Sequence, residues 1–439
     1  MAPRRVAIVG GGLAGLAAAV DLKDRGWNVE VFERSRLLGG RATSFEIDGR
    51  EVDNGQHVFL ACCTAFIDFV ERIGMSDYLH LQERFDVIAL SKAGVRSRLR
   101  AAPLPAPLHL LASFMRYRHM KWPARLQVAY ALTKIRSALA SQESFQAWLT
   151  RNGQSSEAIA AFWDPFVVPA LNASLERVTA ADAAFVIVNA FLSDADAARF
   201  GWSTIPLEHV MRAAAERADA VHLSTTVFNM EAQAEHSVTL QTANGAHRFD
   251  AVVLAVAPPQ LARLLGDPRR FGVSNLERFE AKPIVDIHLW HDGGATPFDF
   301  AALIDSPVQW IFQKGDGYLC CSVSAADRYM AMDTAELTAL AWNEVRETVR
   351  ELASASLLKS AVTRNPNATY LAQPGIARPR SRTLQTNVAI AGSWTGTGWP
   401  DTMESAVRSG REAAAVLDGA ATGFSRSAKA HIEEVPAVG

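Results

Sequence analysis

An α/β fold is predicted, in which a Rossmann-type dinucleotide-binding domain alternates along the chain with a discontinuous α+β domain that carries a helical insertion. Three observations predict it. The apolar run Val6 to Val9 leads into Gly10, Gly12 and Gly15 in the spacing G-x-G-x-x-G; a second apolar run ends at the acid Glu33; and near the far end Asn387 to Ala391 reads as a buried strand entering another glycine-rich turn.

Gly10 permits the tight turn out of the first strand, Gly12 lets backbone approach a pyrophosphate, and Gly15 allows close helix–sheet packing. Leu13 to Arg25 is helical in composition, so the free N–H groups around Leu13 and Ala14 and the positive dipole end face an anion. The strand Trp27 to Phe32 then delivers Glu33 as an acceptor for ribose hydroxyls, which disfavours a 2′-phosphate. After the acid comes Arg34-Ser35-Arg36-Leu37-Leu38-Gly39-Gly40-Arg41, a glycine pair with flanking arginines that brings backbone and guanidinium against phosphate. This segment resembles the second phosphate-binding stretch of flavin-containing amine oxidoreductases and phytoene-type desaturases. The resemblance implies FAD as cofactor.

The C-terminal segment Gly392-Ser393-Trp394-Thr395-Gly396-Thr397-Gly398-Trp399-Pro400 precedes a helix expected to open at Asp401, with Asp401 as its cap and Glu404 answering three residues later. Backbone N–H groups near Thr402 and Met403 then face a ligand, which in the resembling flavoproteins is the flavin. Many of those relatives carry Gly-Asp where this chain has Gly392-Ser393, so a carboxylate contact is replaced by a hydroxyl. His222 to Phe228 and Ser237 to Ala243 read as paired strands, and Phe249 to Val256 as a buried one; by resemblance Val227 lies against adenine.

At 439 residues the chain accommodates two domains, and it contains no run of eighteen apolar residues that would span a bilayer. With the first strand beginning at Val6, a cytoplasmic protein without a signal peptide is expected. Its cysteines, Cys62-Cys63 and Cys320-Cys321, have neither metal nor redox spacing and read as small packed residues. The net charge of −2 hides an asymmetry: Val87 to Gln142 holds no acid but ten cations, from Lys92 to Arg136. Apolar and aromatic residues are interleaved there, among them Leu108, Leu110, Leu111, Phe114, Met115 and Trp122. That combination suits an anionic membrane surface, so residues 92–136 are expected to make peripheral contact at the inner face of the cytoplasmic membrane. No nucleic-acid motif accompanies the charge, and nucleic acid is excluded as a partner.

Residues 1–79, 201–266 and 380–425 are therefore assigned to the FAD-binding domain, 80–200 and 267–379 to the substrate and membrane-contact domain, and 426–439 to a flexible tail. Helices are expected through most of Leu108 to Leu192, interrupted at Gly153, Pro165 and Pro169. Strands are expected at Pro283 to Trp290, Ala301 to Ile304, Val308 to Gln313 and Tyr318 to Ser324, followed by a helix at Thr334 to Ala353.

Three segments carry a narrower resemblance. Asp53-Asn54-Gly55-Gln56-His57, the stretch from Trp163-Asp164-Pro165 to Leu171-Asn172, and Gly398-Trp399-Pro400 through Ser409-Gly410 look like the bacterial hydroxysqualene dehydroxylases, also described as squalene-associated FAD-dependent desaturases. The resemblance implies that reduced FAD replaces an allylic hydroxyl of hydroxysqualene by hydrogen, giving squalene for hopanoid-type lipids. Such chemistry needs an acid, a dry cavity and alignment. By analogy Gly55, Gln56 and His57 lie near the flavin, and Asp53, His57 and Asp164 are the candidate proton donors. Ten tryptophans and twenty-one phenylalanines suit an isoprenoid channel, with Trp163, Phe166, Trp202, Trp290, Trp310 and Trp394 as candidate walls. The alternatives are an oxidative carotenoid-type desaturase, an amine oxidase, and a flavin-binding scaffold for a membrane synthase. One dinucleotide fingerprint, taken by FAD, leaves NADPH, ferredoxin or a flavodoxin as the electron donor.

Overall fold

The computed structural model describes residues 3–92, 94–233, 237–315 and 317–419. The expected tail at 426–439 lies outside the described residues. At the centre of one half is a wholly parallel five-stranded sheet in the order Ala220–His222, Asn28–Phe32, Arg5–Val9, Ala251–Leu254, Val388–Ile390. Its strands are short, and the central ones, Arg5–Val9 and Ala251–Leu254, are buried on both faces, as apolar runs such as Val6 to Val9 require. The helices Leu13–Asp24 and Met403–Leu417 pack on one face. An antiparallel three-stranded sheet and the helix Pro258–Leu265 cover the other.

The expected run His222 to Phe228 is two elements. Ser224 takes a left-handed conformation with φ of 51°, so Ala220–His222 stays in the parallel sheet while Val227–Gln233 starts the antiparallel one. A third antiparallel strand, Gly245–Phe249, was not expected.

The other half is a seven-stranded sheet in the order Leu357–Ala372, Phe279–His291, Tyr318–Val323, Trp310–Gln313, Phe300–Leu303, Asp86–Leu90, Arg96–Arg100. Ladder partners share a face, so the alternation along Phe279–His291 divides the sheet cleanly. Val285, Ile287 and Leu289 join the core beneath the helix Thr334–Thr348, which ends before the expected Ala353 and is opened by a capping box of Asp333 and Glu336. The opposite face, including Trp310, Phe312 and Phe300, packs against the helical insertion. Pro165 opens the helix Asp164–Leu171 as expected of a first-turn proline, but Pro169 lies inside that helix instead of interrupting it.

Candidate active site

The glycines build a cradle at the carboxyl end of the central strand of the parallel sheet. Gly10 has φ of 111°, and a β-carbon there would sit 2.3 Å from the Ala255 carbonyl oxygen; one on Gly15 would sit 2.0 Å from the Gly10 oxygen. These two are glycine because the chain packs on itself. Gly12 differs: a β-carbon there would approach the protein no closer than 3.8 Å, at the Gly39 oxygen. Gly12 begins the helix Leu13–Asp24 without a capping side chain, and no acid stands in its first turn. The orphan N–H groups near Leu13 and Ala14 thus stand beside Gly39 and Gly40, an arrangement that suits a pyrophosphate. The Gly39 N–H donates to the Gly11 oxygen at 2.9 Å, locking the two glycine segments together.

Glu33 is buried at the end of its strand. One carboxylate oxygen accepts the Gly11 N–H at 2.7 Å and the other the Ser35 N–H at 2.8 Å, so the acid fixes the cradle's shape as well as presenting its remaining lone pairs. The Thr225 N–H donates to the Glu33 oxygen at 2.8 Å, which sets the strand bearing Val227 beside this end of the cradle. Arg34 and Gly40 are exposed at its rim.

Arg41 joins the N-terminal cradle to the C-terminal segment. Its guanidinium donates to both oxygens of Asp401, at 2.9 and 3.1 Å, and also to the Ser393 hydroxyl. The expectation that Asp401 caps the last helix is thereby corrected. Thr402 caps Met403–Leu417 by accepting the Ser405 N–H at 3.3 Å, while Asp401 is engaged by Arg41 and by the Tyr370 N–H at 2.6 Å. Glu404 does not answer a cap either. Fully buried, it accepts from the N–H groups of Ala65 at 3.1 Å and Phe66 at 2.8 Å, closing the otherwise uncapped helix Thr64–Arg72. A bidentate arginine outcompetes a local backbone N–H for a carboxylate. Gly392, with φ of 156°, donates its N–H to the Ser409 hydroxyl at 2.9 Å. Met403 is half-buried in the first turn of its helix.

Cradle and seven-stranded sheet meet at residues 53–57. Asn54 donates through Nδ2 to the Arg41 carbonyl at 2.9 Å, so its Oδ1 accepts from His57 Nε2 at 3.0 Å, and His57 is the Nε2–H tautomer in its neutral form. Burial pushes His57 below the ordinary histidine range, Lys314 and Arg41 add to this, and Asp53 opposes it. Asp53 accepts the Ser44 hydroxyl at 2.6 Å and the Leu207 N–H at 3.0 Å, with Lys314 Nζ at 3.9 Å. Asp53 therefore anchors the start of the helix Leu207–Ala215.

Directly beneath Gly55 lies a residue that the sequence analysis missed. A β-carbon on Gly55 would sit 2.9 Å from Asp286 Oδ2 and 3.9 Å from His57 Nε2, so a larger residue there would have to displace the Asp286 carboxyl. Asp286 belongs to a polar row with His288, Tyr318, Cys320 and Ser322 on the face toward the helical insertion. Burial raises the Asp286 carboxyl to about 6, against the pull of Ser322, the Gln56 backbone, Lys314 and Cys320. Burial likewise lowers His288 to about 4, and its Nδ1 meets the Tyr318 hydroxyl at 2.8 Å. The missed signal was the period-2 pattern itself: Asp286, His288 and Trp290 alternate with Val285, Ile287 and Leu289.

The candidate wall residues separate into two groups. Trp310 and Phe166 face each other across the seam between sheet and insertion, ring centroids 6.3 Å apart, and Trp310 stands in register with Ser322, the partner of Asp286. Trp202, half-buried, reaches the same aromatic cluster through Phe300, and Trp290 stacks on Tyr318 at 4.7 Å. Trp163 and Trp394 are the most deeply buried of the six. Trp163 is buried within the insertion and donates to Gln154 at 2.9 Å; Trp394 is buried against the cofactor sheet and donates to the Val256 carbonyl at 3.2 Å. Asp164 stands apart, at the start of its helix, where desolvation and the like charge of Glu176 raise it to about 6.

A parallel sheet with an uncapped helix over a glycine cradle, braced by an arginine from a second glycine pair, defines a dinucleotide-binding oxidoreductase. Thr43 Oγ1 and Gln56 Oε1, buried beside this cradle without partners among the described residues, fit a site shaped for a bound group. The chain belongs to the flavin containing amine oxidoreductase family, whose model matches residues 13–418, and its cofactor is FAD. Among curated proteins it is 29% identical to the hydroxysqualene dehydroxylase of Rhodopseudomonas palustris, covering 94% of this chain and 97% of that protein. It is 27% identical to a probable zeta-carotene desaturase of Synechococcus elongatus, covering 94% and 98% respectively. Among solved structures, wild-type putrescine oxidase bound to putrescine superposes with a TM-score of 0.74 at 20% identity, covering 95% of this chain and 99% of that one. The chain is thus an FAD-dependent oxidoreductase of the amine oxidase and desaturase superfamily.

Proposed function

We propose that the chain is a hydroxysqualene dehydroxylase, replacing the allylic hydroxyl of hydroxysqualene by hydrogen to give squalene in bacterial squalene and hopanoid biosynthesis. The observation that carries this reading is the division of one sheet face. Its cradle end bears Asp286, His288 and Tyr318, and its far end bears Trp310, Phe312 and Phe300 against the insertion. Such a face suits a long hydrocarbon with one polar group, held so that the polar group meets the cofactor end.

When bound, reduced FAD supplies the hydride for the allylic carbon as the carbon–oxygen bond breaks and water leaves. The residues named here do the rest. Gly12, Gly39, Gly40, Arg41 and the start of the helix at Met403 hold the cofactor. The aromatic face excludes water, and its rings stabilise positive charge on the allylic system. Asp286, raised to about 6 by burial, is the acid next to the Gly55–His57 segment, while Asp53 accepts the Leu207 N–H. Similarity to zeta-carotene desaturases supports a second reading, oxidative desaturation on the same apolar face. Product analysis separates the two. Photoreduced protein mixed anaerobically with hydroxysqualene should reoxidise as squalene appears; oxidised flavin reduced by a carotene, with no response to the alcohol, refutes the proposal.

A further inference from the structure

The helix Trp122–Lys134 is turned inside out. Its buried residues are the small Ala124, Val128 and Ala131, whereas Trp122, Leu126 and Tyr130, spaced i, i+4, i+8, are 54%, 65% and 53% exposed. An amphipathic helix of a water-facing protein does the reverse. Beside it, Leu104, Leu108, Leu111 and Met115 are also exposed. Cations frame this apolar surface. Among the described residues Arg116, Arg118, Lys121 and Lys134 are exposed without an ion pair, whereas Arg98 and Arg100 at the margin share the single carboxylate of Asp86. Arg125 lies over Trp122 and Lys134 over Tyr130, at 4.9 and 5.4 Å. The cationic heads thus sit against the exposed rings, and Arg125 also donates to the Met115 and Met120 carbonyls, which holds positive charge beside the apolar stripe.

Behind the surface runs a chain of rings. Phe114, between Leu111 and Met115, meets Phe162, which meets Phe166, which meets Trp310 at the sheet face. Phe162 and Phe191, which both touch Phe166, lie on two π-helical segments, Ile159–Trp163 and Val188–Leu192. Such segments are rare, and where they occur they concentrate at functional sites.

We infer that residues 104–136 form a docking surface for an anionic lipid bilayer, and that apolar substrate and product pass between bilayer and site along the seam marked by Phe114, Phe162 and Phe166. The passage rests on the proposed apolar substrate; the docking does not. No helix among the described residues is long and apolar enough to cross a membrane. Trp122–Lys134, about 20 Å long by its rise, lies on the surface and does not span it. Acid-free charge beside a multi-residue apolar stripe selects anionic lipid over an acidic protein, whose docking would need no Trp122-to-Tyr130 stripe.

The test is sedimentation of the flavin-loaded protein with vesicles of phosphatidylcholine alone or with a third phosphatidylglycerol. Binding should require the anionic lipid and weaken with salt. The variant Leu108→Ser/Trp122→Ser/Leu126→Ser, with unchanged flavin content and circular dichroism, should partition at least 100-fold less. It should also turn over detergent-dispersed hydroxysqualene normally but lose most activity on vesicle-borne alcohol. Equal sedimentation of variant and parent, or concentration-dependent self-association that buries these residues with no vesicle binding, overturns the docking. Docking with equal loss on both forms of substrate overturns the passage, and a parent that ignores the alcohol in either form overturns the functional reading while leaving the vesicle result standing.

Discussion

Gly410 is where the first and last helices of the cofactor half touch, and Gly410→Ala separates two opposing effects. A β-carbon there would lie 2.2 Å from the Ala14 oxygen, 2.8 Å from the Ala18 nitrogen and 2.9 Å from the Ala17 β-carbon. Alanine is favoured over glycine inside a helix by about 1 kcal/mol. Overpacking costs about 1–3 kcal/mol, and here two of the three contacts are backbone atoms that cannot rotate away, which places the cost near 3. The net is a destabilisation of about 2 kcal/mol. An unfolding entropy of roughly 2.1 cal/mol/K per residue over 439 residues turns that into a fall in Tm of about 2 °C. The functional effect should be larger. Both helices start at the cradle, and separating them misplaces two sets of N–H donors, for which a shift of about 1 Å can cost on the order of 100-fold. Differential scanning calorimetry and flavin release on dilution read the two effects, with Gly294→Ala as control because no atom lies within 4 Å of its β-carbon. A Gly410→Ala protein that melts no lower than its parent and retains flavin equally well would refute the packing argument.

Three other outcomes are expected. Arg41→Lys removes the paired bonds to Asp401 while keeping the charge, and should weaken FAD retention about 10–100-fold, read by ultrafiltration, with oxidised-flavin absorbance otherwise normal. Asp286→Asn should change the pH dependence of stability. Because the folded carboxyl is raised from 3.8 to about 6, its favourable contribution is complete below the unfolded value and is lost as pH rises through 6, a difference of about 3 kcal/mol; the variant should therefore gain Tm relative to the parent between pH 4 and pH 7, and a constant difference refutes the reasoning. Asp53→Asn should cost about 1 kcal/mol in urea unfolding through the Leu207 N–H without shifting the pH profile of flavin reoxidation.

The parts legible in the sequence are those whose causes are local. Gly10, Gly12 and Gly15 follow a strand and open a helix within a few residues, and Glu33 ends the next strand, so spacing alone identifies the cradle. Where the cause is distant, local rules mislead. Asp401 has the sequence context of a helix cap, but Arg41 reaches it from the other end of the chain, and Glu404 closes a helix at Ala65 instead of its own. The strand Leu357–Ala372 was not among the expected strands, and Asn365-Pro366-Asn367 inside it has the composition of a turn. At the edge of the seven-stranded sheet the proline is tolerated, since its missing N–H faces no ladder partner there.

Asp286 shows a third situation, in which the sequence held half of the evidence. Its place opposite Val285 and Ile287 was readable as the second face of a strand, and a carboxyl on a face that carries tryptophans is costly unless paired. Other buried acids are paired or bonded: Asp21 with Arg72, Glu208 with Arg212, Glu344 with Lys92, Glu404 with Arg408 and two N–H groups, and Glu33 with two N–H groups. Asp286 has no cation within salt-bridge distance among the described residues, and burial raises its carboxyl to about 6. What completes it is Gly55, whose missing side chain leaves room for that carboxyl beneath the loop that reaches the cradle. Substituting Gly55→Ala should therefore disturb Asp286 and the cofactor loop together. If Gly55→Ala leaves both the Asp286-dependent stability profile and flavin binding unchanged, the carboxyl and the cradle are not coupled through this crossing.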